Sequence, residues 1–326
     1  MMPKALLSAL AVCGTLSLLT LVGVRHSLAT DRHRLLLLGD SVISNYRVAV
    51  GARVEDVLGR KLGPRWSVRS FAEPGSRIGD YYLLFAKAEL LGFEPETVVI
   101  ELNPSKLVQE FDLGTDLDDD GRELMWLPLN AEGAAYYARL SPHYRDATLW
   151  RKASLFFGFY DAIERTWRQR IAWPRRRARL FAENAAERCT RFKPMMVEHA
   201  ERWSRTAPAE SYAEFRHSSK VGDLDFLLDA LNRRGTRSYL LLPPWPNPGV
   251  LGAFTPRGRA LLTQIRGYAL RYAAERNVPV IALDDPDVLQ RFRSDDWDDL
   301  EHWRSPGSYR TVAELVANRI ADAEQD

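Results

Sequence analysis

The sequence predicts an α/β protein: a three-layer, doubly wound parallel sheet carrying one long, mostly helical insertion. Three observations predict it. Short apolar runs alternate with stretches of helical period over residues 35–104 and again over 222–324, which is the pattern of parallel strands joined by crossover helices. Ser41, Gly75, Asn103 and the acidic loop after Leu283 each fall just past the end of such a run, where open parallel sheets place their ligands. The alternation pauses over residues 105–221 and then resumes, so a single segment interrupts a single sheet.

The elements follow in order. Leu35, Leu36, Leu37 and Leu38 run unbroken into Gly39, Asp40 and Ser41, and an apolar run stopped by glycine, acid and serine reads as a strand buried on both faces. Residues 46–62 place Val48, Val54, Val57, Leu58 and Leu62 on one side of a helix that Gly63 and Pro64 end. A short alternating strand is expected at 66–71, then a loop through Glu73, Pro74, Gly75 and Ser76. A helix at 78–91 leads to a branched, buried strand at 97–102, stopped by Asn103 and Pro104. After the pause come a helix at 224–231, a strand at 239–242 ended by two prolines, a helix at 260–275, a strand at 278–283 and a last helix at 308–323.

A chain of 326 residues can bury a sizeable core as one large domain or two. Its net charge of +2 is too small to point to nucleic acid, which needs concentrated basic surface. Of the two cysteines, Cys13 lies in an apolar N-terminal run, so the remainder has only Cys189 and no internal disulfide.

That run, residues 5–24, follows Lys4, precedes Arg25 and is long enough to cross a bilayer as a helix. Residues 1–30 are therefore expected to be an export signal retained as a single-pass inner-membrane anchor, with residues 31–326 forming one domain interrupted by the insertion at 105–221. Ser27, Leu28 and Ala29 would also suit a signal peptidase, and cleavage stays open. Val12 is too large for a lipidation site at Cys13. Arg25, Arg32 and Arg34 outweigh Lys4, which by the positive-inside rule would hold the body in the cytoplasm. The placement at the extreme N-terminus is typical of export, and an extracytoplasmic, periplasmic body is the expectation.

Chemistry is suggested by Asp299 and His302, three residues apart just before the final helix. A carboxylate at that spacing can hold an imidazole while its other nitrogen faces a nucleophile. Ser41 is the candidate nucleophile, and the backbone N–H groups of Ser41 and Gly75 with the Asn103 side-chain amide are the candidate oxyanion donors. Each residue also has a plainer reading. Ser41 could cap the following helix, Asn103 could form a turn before proline, and His302 could be a surface histidine beside Trp303.

In identity and order, Ser41 in Gly-Asp-Ser, Gly75, Asn103 and Asp299-x-x-His302 resemble the four blocks of the SGNH, or GDSL-like, hydrolase superfamily. The resemblance spans residues 34–104 and 222–324. It implies a three-layer, flavodoxin-like α/β fold and a serine esterase or acyltransferase activity needing no metal or other cofactor. The third block departs from the usual Gly-x-Asn-Asp, because Glu101 stands for the glycine and Pro104 for the aspartate. With its N-terminal anchor and large insertion, the chain is also similar in architecture to membrane-tethered SGNH proteins that O-acylate bacterial surface polymers.

Two segments of the insertion stand out. Asp116, Asp118, Asp120 and Gly121 match the first half of a calcium loop, but Leu127 occupies the bidentate glutamate position, so a solvated acidic loop is expected and no metal. Residues 150–180 set Phe156, Phe157, Phe159 and Trp167 beside Arg175, Arg176, Arg177 and Arg179. That composition suits docking on a membrane-bound acyl-donor protein, and equally a core helix with a solvated basic face.

The function expected is transfer of an acyl group, acetyl first, through an acyl-Ser41 intermediate to a sugar hydroxyl of cell-envelope polysaccharide or to water. The substrate is an acylated carbohydrate or small ester, and no nucleic acid is involved. The alternatives are a lipid esterase and a non-catalytic scaffold subunit of an envelope polysaccharide complex.

Overall fold

The computed structural model describes residues 32–40, 42–43, 51–72, 76, 78–90, 92–103, 107, 211–244, 254–292, 297, 303 and 306–324. Among them five strands form one parallel sheet: β1 (His33–Leu38), β2 (Trp66–Ser70), β3 (Thr97–Glu101), β4 (Arg237–Leu242) and β5 (Val280–Ala282). Their order is β2-β1-β3-β4-β5. The described helices are α1 (Val54–Leu62), α2 (Ile78–Leu90), α3 (Tyr212–Arg216), α4 (Ser219–Arg233), α5 (Pro256–Glu275), α6 (Pro286–Leu289) and α7 (Pro306–Asp322).

The leucine run forms a central strand because both of its faces are covered. Leu36 and Leu38 enter one apolar cluster, with Val98 and Ile100 of β3 and Leu240 and Leu242 of β4, beneath α2, α4 and α5. Leu35 and Leu37 enter the other, with Val99, Tyr239, Leu241 and Ile281, beneath α1 and α7. Side chains alternate across a strand, so an uninterrupted apolar run fits only where helices lie on both sides.

The winding locates the functional edge. From β1 the chain passes through α1 on the Leu35 face to β2, then crosses through α2 on the Leu36 face to β3. The connection leaving β1 runs to β2 and the one leaving β3 runs to β4, so the two depart in opposite directions from the gap between β1 and β3. That gap, at the carboxyl ends of the two strands, is the topological switch point, the crevice in which open α/β sheets bind ligands. Pairing of β1 with β3 ends at Leu38 opposite Ile100, and pairing of β3 with β4 ends at Glu101 opposite Leu241.

Asp225 of α4 ties together the helices that follow the insertion. Its carboxylate accepts from Arg216 of α3 at 2.6 Å and from the Tyr272 hydroxyl of α5 at 2.9 Å, with Arg276 Nε 3.5 Å away. Residues 5–24 and the aromatic and basic stretch 150–180 lie outside the described residues, as does the acidic loop at 116–121. Among the described residues no helix is long and apolar enough to cross a membrane.

Candidate functional site at the switch point

At the end of β1 the chain must turn in little space. A Cβ on Gly39 would clash with the Glu101 Oε2 atom and lie within 2.7 Å of the Ile43 side chain. Glycine is required here by crowding. The next residue is held from two directions: the Asp40 N–H donates to Glu101 Oε2 at 3.0 Å, and the Asp40 Oδ1 accepts the Val42 N–H at 2.8 Å. Asp40, Val42 and Ile43 are all buried. Ser41 lies between these fixed neighbours and is itself outside the described residues.

Across the gap, β3 ends in Glu101, Leu102 and Asn103. The Leu102 N–H donates to the Leu241 carbonyl at 2.8 Å, extending the ladder one residue past the strand. Asn103 follows with 1% of its surface exposed. The structure thus places this candidate oxyanion donor, buried, two residues beyond β3 at the switch point. Gly75 lies outside the described residues. The approach to it is fixed where the Phe71 N–H donates to the Leu37 carbonyl at 2.9 Å, beside the end of β1.

Asp299 and His302 also lie outside the described residues, but Trp297 and Trp303, on either side of the pair, are described. The two tryptophans form an isolated antiparallel bridge and are almost fully buried. Phe292 and Tyr309 pack against Trp303, with ring centroids 6.3 and 5.3 Å away. All four rings belong to the same apolar cluster as Leu35, Leu37, Val42 and Ile43. The neighbours of the candidate serine and the candidate histidine therefore share one core, on the α1 and α7 face of the sheet.

Among the described residues, Asp40 and Glu101 at this edge and Asp284 after β5 are buried acids. Tyr81 of α2 is wholly buried, and burial first, then Glu101, Asp40 and Asp80, pushes its hydroxyl well above the usual phenol range, so it remains protonated. After β5, Asp284 accepts from Arg266 Nε at 2.9 Å; burial nevertheless outweighs the guanidinium and raises the acid to about 6. On α1, burial raises Glu55 to about 7 despite nearby Arg53. Among the described residues no group of three or more His, Cys, Asp or Glu side chains is placed to hold a metal ion.

Sequence reasoning missed two features. Glu101 reads as a departure from a motif, although a carboxylate closing the otherwise apolar run Thr-Val-Val-Ile is itself a signal that a buried polar partner exists. Trp303 reads only as a neighbour of His302, yet it pairs with Trp297 in a buried antiparallel bridge.

No family model matches this chain, and no curated protein matches it. Among solved structures it is similar to a lipase/acylhydrolase from Enterococcus faecalis, at 14% identity over 89% of this chain and 96% of that one, with a TM-score of 0.42. An acetyl xylan esterase is similar at 12% identity over 88% and 99%, with a TM-score of 0.43. An aryl esterase from M. smegmatis is similar at 11% identity over 89% and 99%, with a TM-score of 0.42. At these identities and scores the strand order and register carry the fold assignment: a doubly wound, five-stranded parallel sheet between two helical layers.

Proposed function

We propose that this protein is a serine-dependent esterase or O-acyltransferase of the SGNH type, working through an acyl-Ser41 intermediate. One observation carries the reading: the Gly39-Asp40 turn and buried Asn103 occupy the two sides of the switch point, and the neighbours of His302 share an apolar core with those of Ser41. A crevice bordered by these residues is where the proposed acyl transfer would take place.

In the proposed reaction Asp299 orients His302, and the imidazole takes the Ser41 hydroxyl proton as the oxygen attacks the ester carbonyl. The oxyanion is held by the N–H groups of Ser41 and Gly75 and by the Asn103 amide. Collapse expels the alcohol, which receives the proton from His302, and leaves acyl-Ser41. Water or a sugar hydroxyl then attacks the acyl-enzyme with His302 again as base, and the serine is released. The substrate proposed is an acetyl ester of cell-envelope polysaccharide. Residues 1–30 would tether the domain to the inner membrane with its body in the periplasm, and the arginine-rich part of the insertion would meet a membrane-bound acyl donor.

The test is labelling of the full-length protein with a fluorophosphonate, followed by peptide mapping. Labelling at Ser41 that disappears in His302→Ala is the expected result, together with hydrolysis of small aryl acetates and of acetylated oligosaccharide. Folded protein that takes no label at Ser41 overturns the serine reading and leaves the scaffold reading in its place.

A further inference from the structure

We propose that Glu101 is the positioning residue of the nucleophile turn, and that it acts through the hydrogen bond its carboxylate accepts from the Asp40 backbone. The inference rests on the serine reading above and deepens it.

A carboxylate with no exposed surface at the end of an apolar strand is costly unless specific partners hold it. The position of Glu101 explains why it is tolerated. The β1–β3 ladder stops at Leu38 opposite Ile100, so the backbone that follows β1 has lost its sheet partner. Glu101 Oε2 replaces that partner by accepting the Asp40 N–H at 3.0 Å. The same oxygen fills the space a side chain at residue 39 would need. Asp40 then passes the constraint on, since its own carboxylate accepts the Val42 N–H. Both backbone neighbours of Ser41 are thereby fixed to the end of β3, the strand that also delivers Asn103. A glycine, the residue the SGNH pattern has at this place, has no side chain to make this tie. The chain therefore uses a side chain from one border of the crevice to set the geometry of the other.

Reach distinguishes this role from a general effect of charge. Glu101→Gln keeps the length and an acceptor oxygen while removing the charge. Glu101→Asp keeps the charge but withdraws the oxygen by ~1.5 Å, one carbon–carbon bond, and Glu101→Asn repeats the shortening without a charge. The experiment measures the rate of fluorophosphonate labelling at Ser41 and the kcat and KM for an aryl acetate, on full-length protein whose folding is checked by thermal unfolding. Displacing a reacting group by about 1 Å costs on the order of 10²-fold in rate. The expected result is a loss of that size in labelling rate and kcat for the two shortened variants, with KM little changed, while Glu101→Gln stays close to wild type. Either shortened variant reports the effect of length if the other does not fold.

Shortened variants as fast as wild type, or a Glu101→Gln variant as slow as Glu101→Asp, overturn the proposal and leave the serine reading intact. Failure of the serine reading looks different: wild-type protein itself takes no label at Ser41, and the positioning role falls with it.

Discussion

Trp297 and Trp303 meet as an antiparallel bridge, their rings packed edge to face with centroids 6.5 Å apart. In the sequence Asp299 and His302 fall between these two buried anchors. The downstream anchor is also tied to the last helix, because the Tyr309 hydroxyl donates to the Trp303 carbonyl at 3.3 Å. A large aromatic truncated in a packed core costs about 3–5 kcal/mol. Trp303→Ala is expected to destabilise the fold by about that much and to abolish labelling of Ser41. Tyr309→Phe removes only the hydroxyl bond and should cost about 0.5–1.5 kcal/mol. Urea unfolding of the two variants checks both values, and a Trp303→Ala protein as stable as wild type would show that the bridge does not anchor the segment.

Asn103 offers a test that leaves the core largely intact. Replacing it by aspartate keeps the shape, removes the NH₂ donors and sets a negative charge where the proposed oxyanion forms. Loss of one oxyanion donor typically lowers kcat by about 10²–10³-fold. Asn103→Asp is expected to lose at least that much kcat towards an aryl acetate, with KM little affected. Wild-type turnover in this variant would remove Asn103 from the oxyanion site and return it to the role of a turn former before Pro104.

The parallel sheet was legible because its signals are local, and the differences arise where local signals mislead. Residues 46–62 suggest one helix, yet α1 begins only at Val54. Gly51 adopts a φ of +89°, its N–H donates to Asp56 at 2.7 Å, and its carbonyl accepts from Arg60 at 2.7 Å, so the helix folds back on the residue that precedes it. A strand over 278–283 shrinks to Val280–Ala282. The Val278 N–H is taken by the Ala273 carbonyl at the end of α5, with Asn277 at φ 53°, and is lost to the sheet. The polar stretch 211–221 reads as part of the insertion, but Ser211 and Ser218 cap α3 and α4. At the site, Ser41, Gly75, Asp299 and His302 are read from residue type and order alone and lie outside the described residues, whereas Asn103 is described as buried two residues past β3. The role of Glu101 depends on a partner 61 residues away in the chain, which no local pattern encodes.

Stability should depend on pH through two acids, buried Asp284 and half-buried Glu55. Burial raises Glu55 from 4.5 to about 7, and Asp284 from 3.8 to about 6 against the opposing pull of Arg266. In each case the folded protein holds the proton more tightly than the unfolded chain does. The stability contributed by the neutral acids is therefore complete below about pH 4 and lost as the pH rises through about 6 and then about 7. Glu55→Gln and Asp284→Asn carry no ionisable group, so each should gain stability relative to wild type as the pH is raised. The gain should be nearly complete by about pH 7 for Asp284→Asn and continue to about pH 8 for Glu55→Gln. Urea midpoints across this range decide the matter, and a variant that parallels wild type throughout would show that its acid ionises as freely in the fold as out of it.

Gly39 and Glu101 should be energetically coupled. A methyl group at residue 39 meets both the Glu101 carboxylate and the Ile43 side chain, and overpacking of this kind costs about 1–3 kcal/mol. Gly39→Ala is expected to destabilise the wild-type protein by about that amount. In a Glu101→Ala background the carboxylate is gone, and only the Ile43 contact opposes the added methyl. The same substitution should then cost less, giving a coupling energy of about 0.5–3 kcal/mol. Denaturant titration of the four proteins measures it directly. Simple additivity would mean that the turn yields towards Ile43 alone, so that the space under Gly39 is not set by the carboxylate that accepts the Asp40 N–H.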